Sequence, residues 1–309
     1  MSDPAHAPQP VTAPRYHWLE VEPGRHLRVA HWPADAAVRG QVLLLQGLSE
    51  FIEKYQPVAQ DLLARGFEVW TFDWRGQGQS FRYLDDARKA HVPDFSTYDA
   101  DLAAVLRFMP PAHQRCAVAH SMGGHMALRH LRGSAGSFRW LLLTSPMLGI
   151  HTRPWPQWAA RLAARGLLRL GLAESYLPDR RSFDPLDVPF EGNPFTSDPV
   201  AYAREQDLLR ANPRLVLGAV TVGWLDAAFR SLHELWQDST LPALQVPMQV
   251  LAAQDERIVS TAATRRFVAR LPQARFEVVP GARHEVLNER PEVRAVFWQA
   301  FDAACRDAG

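Results

Sequence analysis

The chain has 309 residues, 47% of them hydrophobic and 22% charged, with a formal net charge of +1. That length suits one large domain or two small ones, and the near-neutral balance argues against a nucleic-acid partner, which needs a basic patch or excess. No stretch approaches the roughly 18 consecutive apolar residues of a membrane span, so the sequence predicts no transmembrane segment.

Met1–Arg15 is rich in Pro and Ala and lacks the basic start and apolar core of a secretory signal, so it reads as a disordered leader. Gln41–Gln46 (QVLLLQ) is a short continuous apolar run, the pattern of a strand buried on both faces. Lys54–Arg65 follows with helical spacing and ends at Gly66. Phe67–Asp73 is a second strand, Tyr98–Met109 a helix, Arg115–His120 a third strand, Met122–Leu131 a helix and Arg139–Thr144 a fourth strand. From about Met147 to Leu235 the alternation gives way to helical, proline-interrupted and aromatic-rich sequence. It resumes with a strand at Pro247–Ala253, a helix at Thr261–Leu271, a strand at Arg275–Val279 and a closing helix at Pro291–Cys305. Strand–helix alternation predicts an α/β fold, a mostly parallel sheet with helices on both faces. The expected division is a core of residues 16–147 and 236–309, with residues 148–235 inserted after the fourth parallel strand as a helical cap. Cys116 and Cys305 read as reduced thiols, which fits a cytoplasmic address.

The most specific motif is Ala119-His120-Ser121-Met122-Gly123-Gly124, lying between a predicted strand and a predicted helix. A serine at such a sharp turn is pushed out of the sheet, and small residues around it let strand and helix approach. The helix start behind it offers unpaired N–H groups to a developing oxyanion, and the Met122 N–H is one expected donor. A serine hydroxyl also needs a base to take its proton and an acid to orient that base. In this fold both lie on loops after late strands, in the order nucleophile, acid, base. His284, in Pro280-Gly281-Ala282-Arg283-His284-Glu285, is the expected base. Asp255, at the end of the Pro247–Ala253 strand, is the expected acid. It is preferred over the adjacent Glu256 for its shorter reach. The loop Gln46-Gly47-Leu48-Ser49-Glu50 follows the first buried strand, where the second oxyanion donor belongs, and Leu48 N–H is assigned to it. Asp73-Trp74-Arg75-Gly76-Gln77-Gly78-Gln79-Ser80 lacks dinucleotide-loop spacing and reads as a structural loop beside the site. The histidines lack paired ligand spacing, so neither a metal nor a cofactor is expected.

These residues resemble the bacterial lysophospholipase branch of the α/β-hydrolases, which is related to the monoacylglycerol lipases. The 73–80 stretch, His120–Gly124 and Gly281–Glu285 carry the likeness, together with His91-Val92, Phe95, Tyr98 and Asp101. In the insertion, Asn193-Pro194-Phe195-Thr196-Ser197-Asp198-Pro199 and Gly223-Trp224-Leu225 carry it too. It covers about residues 16–305 and implies an esterase acting on a single-acyl lipid. Gln46 stands where related lipases commonly have histidine, and Ala119 replaces the elbow's first glycine. Neither change removes a reacting group.

Arg161, Arg165 and Arg169 fall on one helical face, while Trp158, Leu162, Leu168 and Leu172 supply an apolar one, so peripheral contact with an anionic membrane is one reading of the insertion. A solvated outer face is the plainer one. The expected partner is a small acyl-ester substrate. Alternatives on the same triad are a small-ester carboxylesterase or a prolyl-type aminopeptidase; the latter would use cap carboxylates among Glu174, Asp179, Asp184, Asp187 and Glu191 for a substrate ammonium. A catalytically silent binding module is the reading from another class.

Overall fold

The computed structural model describes residues 12–34, 38–152, 154–177 and 183–307. Its centre follows from the apolar runs. Along β3 (Gly40–Leu45), Val42 and Leu44 face one hydrophobic cluster, while Leu43 and Leu45 face another. β5 (Arg115–His120), β6 (Leu141–Thr144) and β7 (Met248–Ala253) divide their side chains in the same way. A strand covered on both sides has no face left for polar residues, which is why these segments read as continuous rather than alternating. With β4 (Phe67–Phe72) and β8 (Ala274–Val279) they form the parallel part of the sheet.

Two further strands, β1 (Arg15–Glu22) and β2 (Arg25–Trp32), were not expected. They form an antiparallel hairpin that turns at Gly24, with φ +71°, and β2 joins β4 antiparallel. The whole eight-stranded sheet runs β1-β2-β4-β3-β5-β6-β7-β8. Part of the expected leader is therefore ordered: β1 begins at Arg15, and Thr12 N–H donates to Gln60 Oε1 at 3.1 Å. Residues 1–11 of that leader lie outside the described residues.

α1 (Gln56–Ala64) and α8 (Pro291–Asp307) cover one face of the sheet. α2 (Ser96–Phe108), α3 (Met122–Leu131) and α7 (Thr261–Val268) cover the other. Between β6 and β7 lie α4 (Gln157–Arg169), α5 (Pro199–Ala211) and α6 (Val222–Gln237). α6 does not stand apart from the core. Its Trp224, Ala227, Ala228 and Leu235 belong to the same buried cluster as α2 and α3, and its Ser231 bonds His125 on α3 at 2.6 Å.

The start of α3 is pressed onto the end of β3. A Cβ on Gly123 would lie 2.3 Å from Leu45 O and 2.6 Å from Gln46 O, both backbone atoms that cannot rotate away. Gly123→Ala should therefore destabilise the protein by about 3 kcal/mol, as overpacking against rigid structure does. Chemical denaturation measures this, and an unchanged midpoint would show that the elbow has slack.

Candidate active site

β5 ends at His120 and α3 begins at Met122, leaving Ser121 at the turn with φ 50° and ψ −115°. Left-handed φ is uncommon for a residue with a Cβ, and it persists only where the surroundings enforce it. Here Ser121 N–H donates to Thr144 O at 3.0 Å, while Ser121 O accepts Met147 N–H at 2.9 Å and His125 N–H at 3.2 Å. The backbone is held on both sides, and the side chain is left to point away from the sheet.

The loop after β8 carries His284, whose Nε2 lies 3.0 Å from Ser121 Oγ. Its other nitrogen, Nδ1, lies 2.8 Å from Glu256 Oε2. This corrects the expectation for Asp255: that residue is exposed, while the Glu256 side chain is 3% exposed with its carboxylate on the ring. The reason lies in how the chain leaves β7. Asp255 N–H donates to Ala282 O at 2.9 Å, so residue 255 serves the histidine loop with its backbone and turns its side chain outward. Glu256 then faces inward, and its extra methylene spans the remaining gap. Its Oε1 accepts Ile258 N–H at 2.8 Å and Val259 N–H at 3.1 Å. Burial works to raise the Glu256 pKa, but His284 and these two donors outweigh it and bring the carboxyl down to about 2. A carboxylate at Nδ1 calls for the ring proton there, which leaves Nε2 as an acceptor for the serine hydroxyl.

His120 packs edge-on to His284, with ring centroids 4.7 Å apart, and its Nδ1 meets Thr144 O and Oγ1 at 3.1 Å. Burial, with His284 second, lowers its pKa to about 3. A neutral ring thus walls one side of the His284 imidazole without competing for its proton.

The loop after β3 touches the elbow, since a Cβ on Gly47 would sit 3.2 Å from Ser121 Cβ. Gly47 N–H donates to Glu50 Oε2, and Gln77 Nε2 donates to Gly47 O at 2.8 Å and Glu50 O at 3.1 Å. The 73–80 stretch is thus a brace for this loop, as its sequence suggests. Asp73 accepts Ile52 N–H at 3.0 Å and Gln79 N–H at 2.8 Å, and its carboxylate fills the space that a Cβ on Gly78 would need. Leu48, the residue after Gly47, is half-buried, and Met122 is fully buried at the first position of α3, directly after Ser121.

The insertion reaches the histidine loop through its 193–198 segment. His284 N–H donates to Pro194 O at 3.3 Å and Glu285 N–H to Phe195 O at 2.8 Å. Arg283 Nη1 returns bonds to Asn193 O at 3.1 Å and Thr196 O at 2.9 Å, and Thr196 Oγ1 donates to Asn288 O at 2.7 Å. The Asn-Pro-Phe-Thr-Ser-Asp-Pro stretch is therefore a clamp on the segment that presents His284.

The sheet, the strand-to-helix turn at Ser121 and the late loops bearing Glu256 and His284 define the class: an α/β-hydrolase. The chain belongs to the family described as serine aminopeptidase, S33, whose profile matches residues 36–291. Among its relatives is lysophospholipase L2 of Escherichia coli K12, 30% identical over 273 residues, covering 84% of this chain and 78% of that protein. Human monoglyceride lipase is 23% identical over 303 residues, covering 94% and 90%. Of solved structures, a soluble variant of monoglyceride lipase from Saccharomyces cerevisiae, in complex with a substrate analog, superposes with a TM-score of 0.77. At 19% identity, over 98% of this chain and 99% of that one, it shares the fold. The resemblance to the lysophospholipase and monoacylglycerol lipase branch holds on both counts.

The depressed Glu256 pKa makes a stability statement. Unfolded, the group titrates near its ordinary value, about 4.3. A folded value lowered to about 2 contributes stability that is present above the unfolded pKa and lost as pH falls through the folded one. The stability gap between wild type and Glu256→Gln, from denaturant titrations, should narrow as pH drops from about 6 toward about 3. A gap that widens would place the carboxylate elsewhere than on His284.

Proposed function

We propose that the protein hydrolyses carboxylic esters of single-acyl lipids through an acyl-enzyme on Ser121. The observation that carries this is the His284 ring, with Nε2 3.0 Å from Ser121 Oγ and Nδ1 2.8 Å from Glu256 Oε2. His284 takes the hydroxyl proton as Oγ attacks the ester carbonyl, and Glu256 stabilises the imidazolium that forms. The N–H groups of Leu48 and Met122 hold the oxyanion. His284 then protonates the leaving alcohol, and water releases the acyl group by the same base. The lipid substrate is supported by the relatives named as a lysophospholipase and a monoglyceride lipase. The apolar side chain of Met147, whose N–H donates to Ser121 O at 2.9 Å, also suits an acyl chain beside the elbow.

The family description keeps aminopeptidase activity as a second reading. Such an enzyme needs a carboxylate for the substrate's ammonium. Of the candidates in the insertion, Glu174, Asp187 and Glu191 are exposed, Asp184 is paired with Arg88 at 2.6 Å, and Asp179 lies outside the described residues. That distribution favours the ester. Lysophosphatidylcholine, monoacylglycerol, short p-nitrophenyl esters and a prolyl-naphthylamide separate the two: we expect turnover of the single-acyl lipids, and cleavage of the amide alone would overturn the reading. On the preferred substrate, Glu256→Gln should lower kcat by about 10³–10⁴-fold, while Asp255→Asn stays within about twofold. The reverse order would restore Asp255 as the acid.

We also propose that the expected insertion, residues 148–235, serves as the cap up to the start of α6, which packs into the core, and meets lipid through α4. Trp155, Trp158, Leu162 and Leu170 are each more than 60% exposed, and Arg161, Arg165 and Arg169 are exposed beside them. The sequence expectation of separate basic and apolar faces is thus revised. Both share the outward face, while Ala164 points inward. Long arginine stems can lie along lipid while their heads reach phosphate. Among the described residues no helix is long and apolar enough to cross a membrane, so the contact is peripheral. Reversing the three arginines to glutamate should weaken sedimentation with anionic vesicles by about tenfold or more, and unchanged binding would end the idea.

A further inference from the structure

Lys54 lies in the short 3₁₀ turn Ile52–Tyr55, and its side chain is only 3% exposed. Burying an ammonium is unfavourable by several kcal/mol unless it is closely paired. Its Nζ lies 2.6 Å from Glu285 Oε1, 3.0 Å from Glu205 Oε1 and 3.2 Å from Glu50 Oε1. The first two are directed hydrogen bonds and the third is an electrostatic contact. One ammonium among three carboxylates leaves excess negative charge in a buried place, and burial pushes Glu205 up to about 7 against the pull of Lys54. Lys54 is the cation that keeps these acids together.

Each acid belongs to a different piece of the site. Glu50 ends the loop after β3, and its Oε2 accepts Gly47 N–H and Tyr55 Oη, the latter at 2.7 Å. Glu285 follows His284 directly, and its N–H is bonded to Phe195 O of the clamp segment. Glu205 sits on α5. We propose that Lys54 is a positioning residue whose ammonium latches helix α5 of the cap to the loops carrying Leu48 and His284, so that cap seating and site alignment are one event. When α5 lifts, Glu205 leaves the cluster, two acids remain on one cation, and the bonds from His284 and Glu285 to the clamp are loosened with it. The inference rests on the catalytic reading above, but the seating of α5 can be measured without it.

The test compares wild type, Glu205→Gln, Lys54→Met and Lys54→Arg by hydrogen–deuterium exchange and by kcat and KM on a short p-nitrophenyl ester. Glu205→Gln keeps the side chain's size and removes its charge. It should speed exchange along α5 and residues 193–197 by about tenfold while sparing residues 47–50. Its kcat should fall about threefold to tenfold with KM little changed, because alignment acts mainly on the transition state. Lys54→Met should speed exchange in all three segments and lower kcat by more than about tenfold, and Lys54→Arg should recover both readouts in large part. Should Lys54→Met fail to fold, Glu205→Gln decides. Unchanged α5 exchange in Glu205→Gln, or faster exchange with kcat unmoved, would overturn the latch. A wild type that turns over no ester fails the catalytic reading alone, and the exchange data then decide whether α5 is latched.

Discussion

The imidazole of His284 has to sit between a hydroxyl and a carboxylate at hydrogen-bond distance from both, and much of the structure exists to keep it there. Three late or distant segments meet at that ring: the elbow after β5, the loop after β7 and the loop after β8. The elbow is enforced by backbone bonds to Thr144 and Met147, so the unfavourable φ of Ser121 is sustained by the sheet rather than by Ser121 itself. The ring's orientation comes from Glu256, and the height of its loop comes from Asp255 N–H below and the 193–198 clamp above. Geometry at this scale matters because a displacement of about 1 Å can cost about 10²-fold in rate.

Around this centre, charge is buried in closed sets. Asp73 holds Arg28 at 2.7 Å and Arg75 holds Asp101 at 2.5 Å, while Lys54 gathers its three acids. Such groups add little net stability over apolar packing, since desolvation offsets much of the attraction. What they supply is direction: Asp73 orders the loop through Ile52 and Gln79, and Glu50 orders Gly47. These bonds fix the backbone at Gly47 and Ile52, on either side of Leu48.

How much of this was legible in sequence depended on what kind of force each element answers to. The central strands were, because a strand buried on both faces has no choice but to be apolar, as QVLLLQ shows. The elbow was, because only small residues such as Gly123 let α3 approach Leu45 O. The β1–β2 hairpin was not: β1 alternates between half-exposed and exposed residues behind a Pro-rich leader, and β2, though buried along Leu27–Ala30, carries Arg28 within that run. Nor was the choice between Asp255 and Glu256. Both follow the same strand, and only the twist of the chain as it leaves β7 decides which side chain turns inward. α6 shows a third kind of limit. Its residues fall in the aromatic-rich insertion, but whether they face a cap or the core depends on partners far away in the chain.

The central claim is that Ser121 is activated by its neighbours in the folded protein, and active-site labelling tests it most directly. A fluorophosphonate probe, followed by peptide mass mapping, should leave one adduct, on Ser121. That adduct should be lost when the protein is unfolded in urea and strongly slowed in His284→Ala. An unmodified Ser121 in folded wild-type protein, or labelling indifferent to His284, would contradict the account.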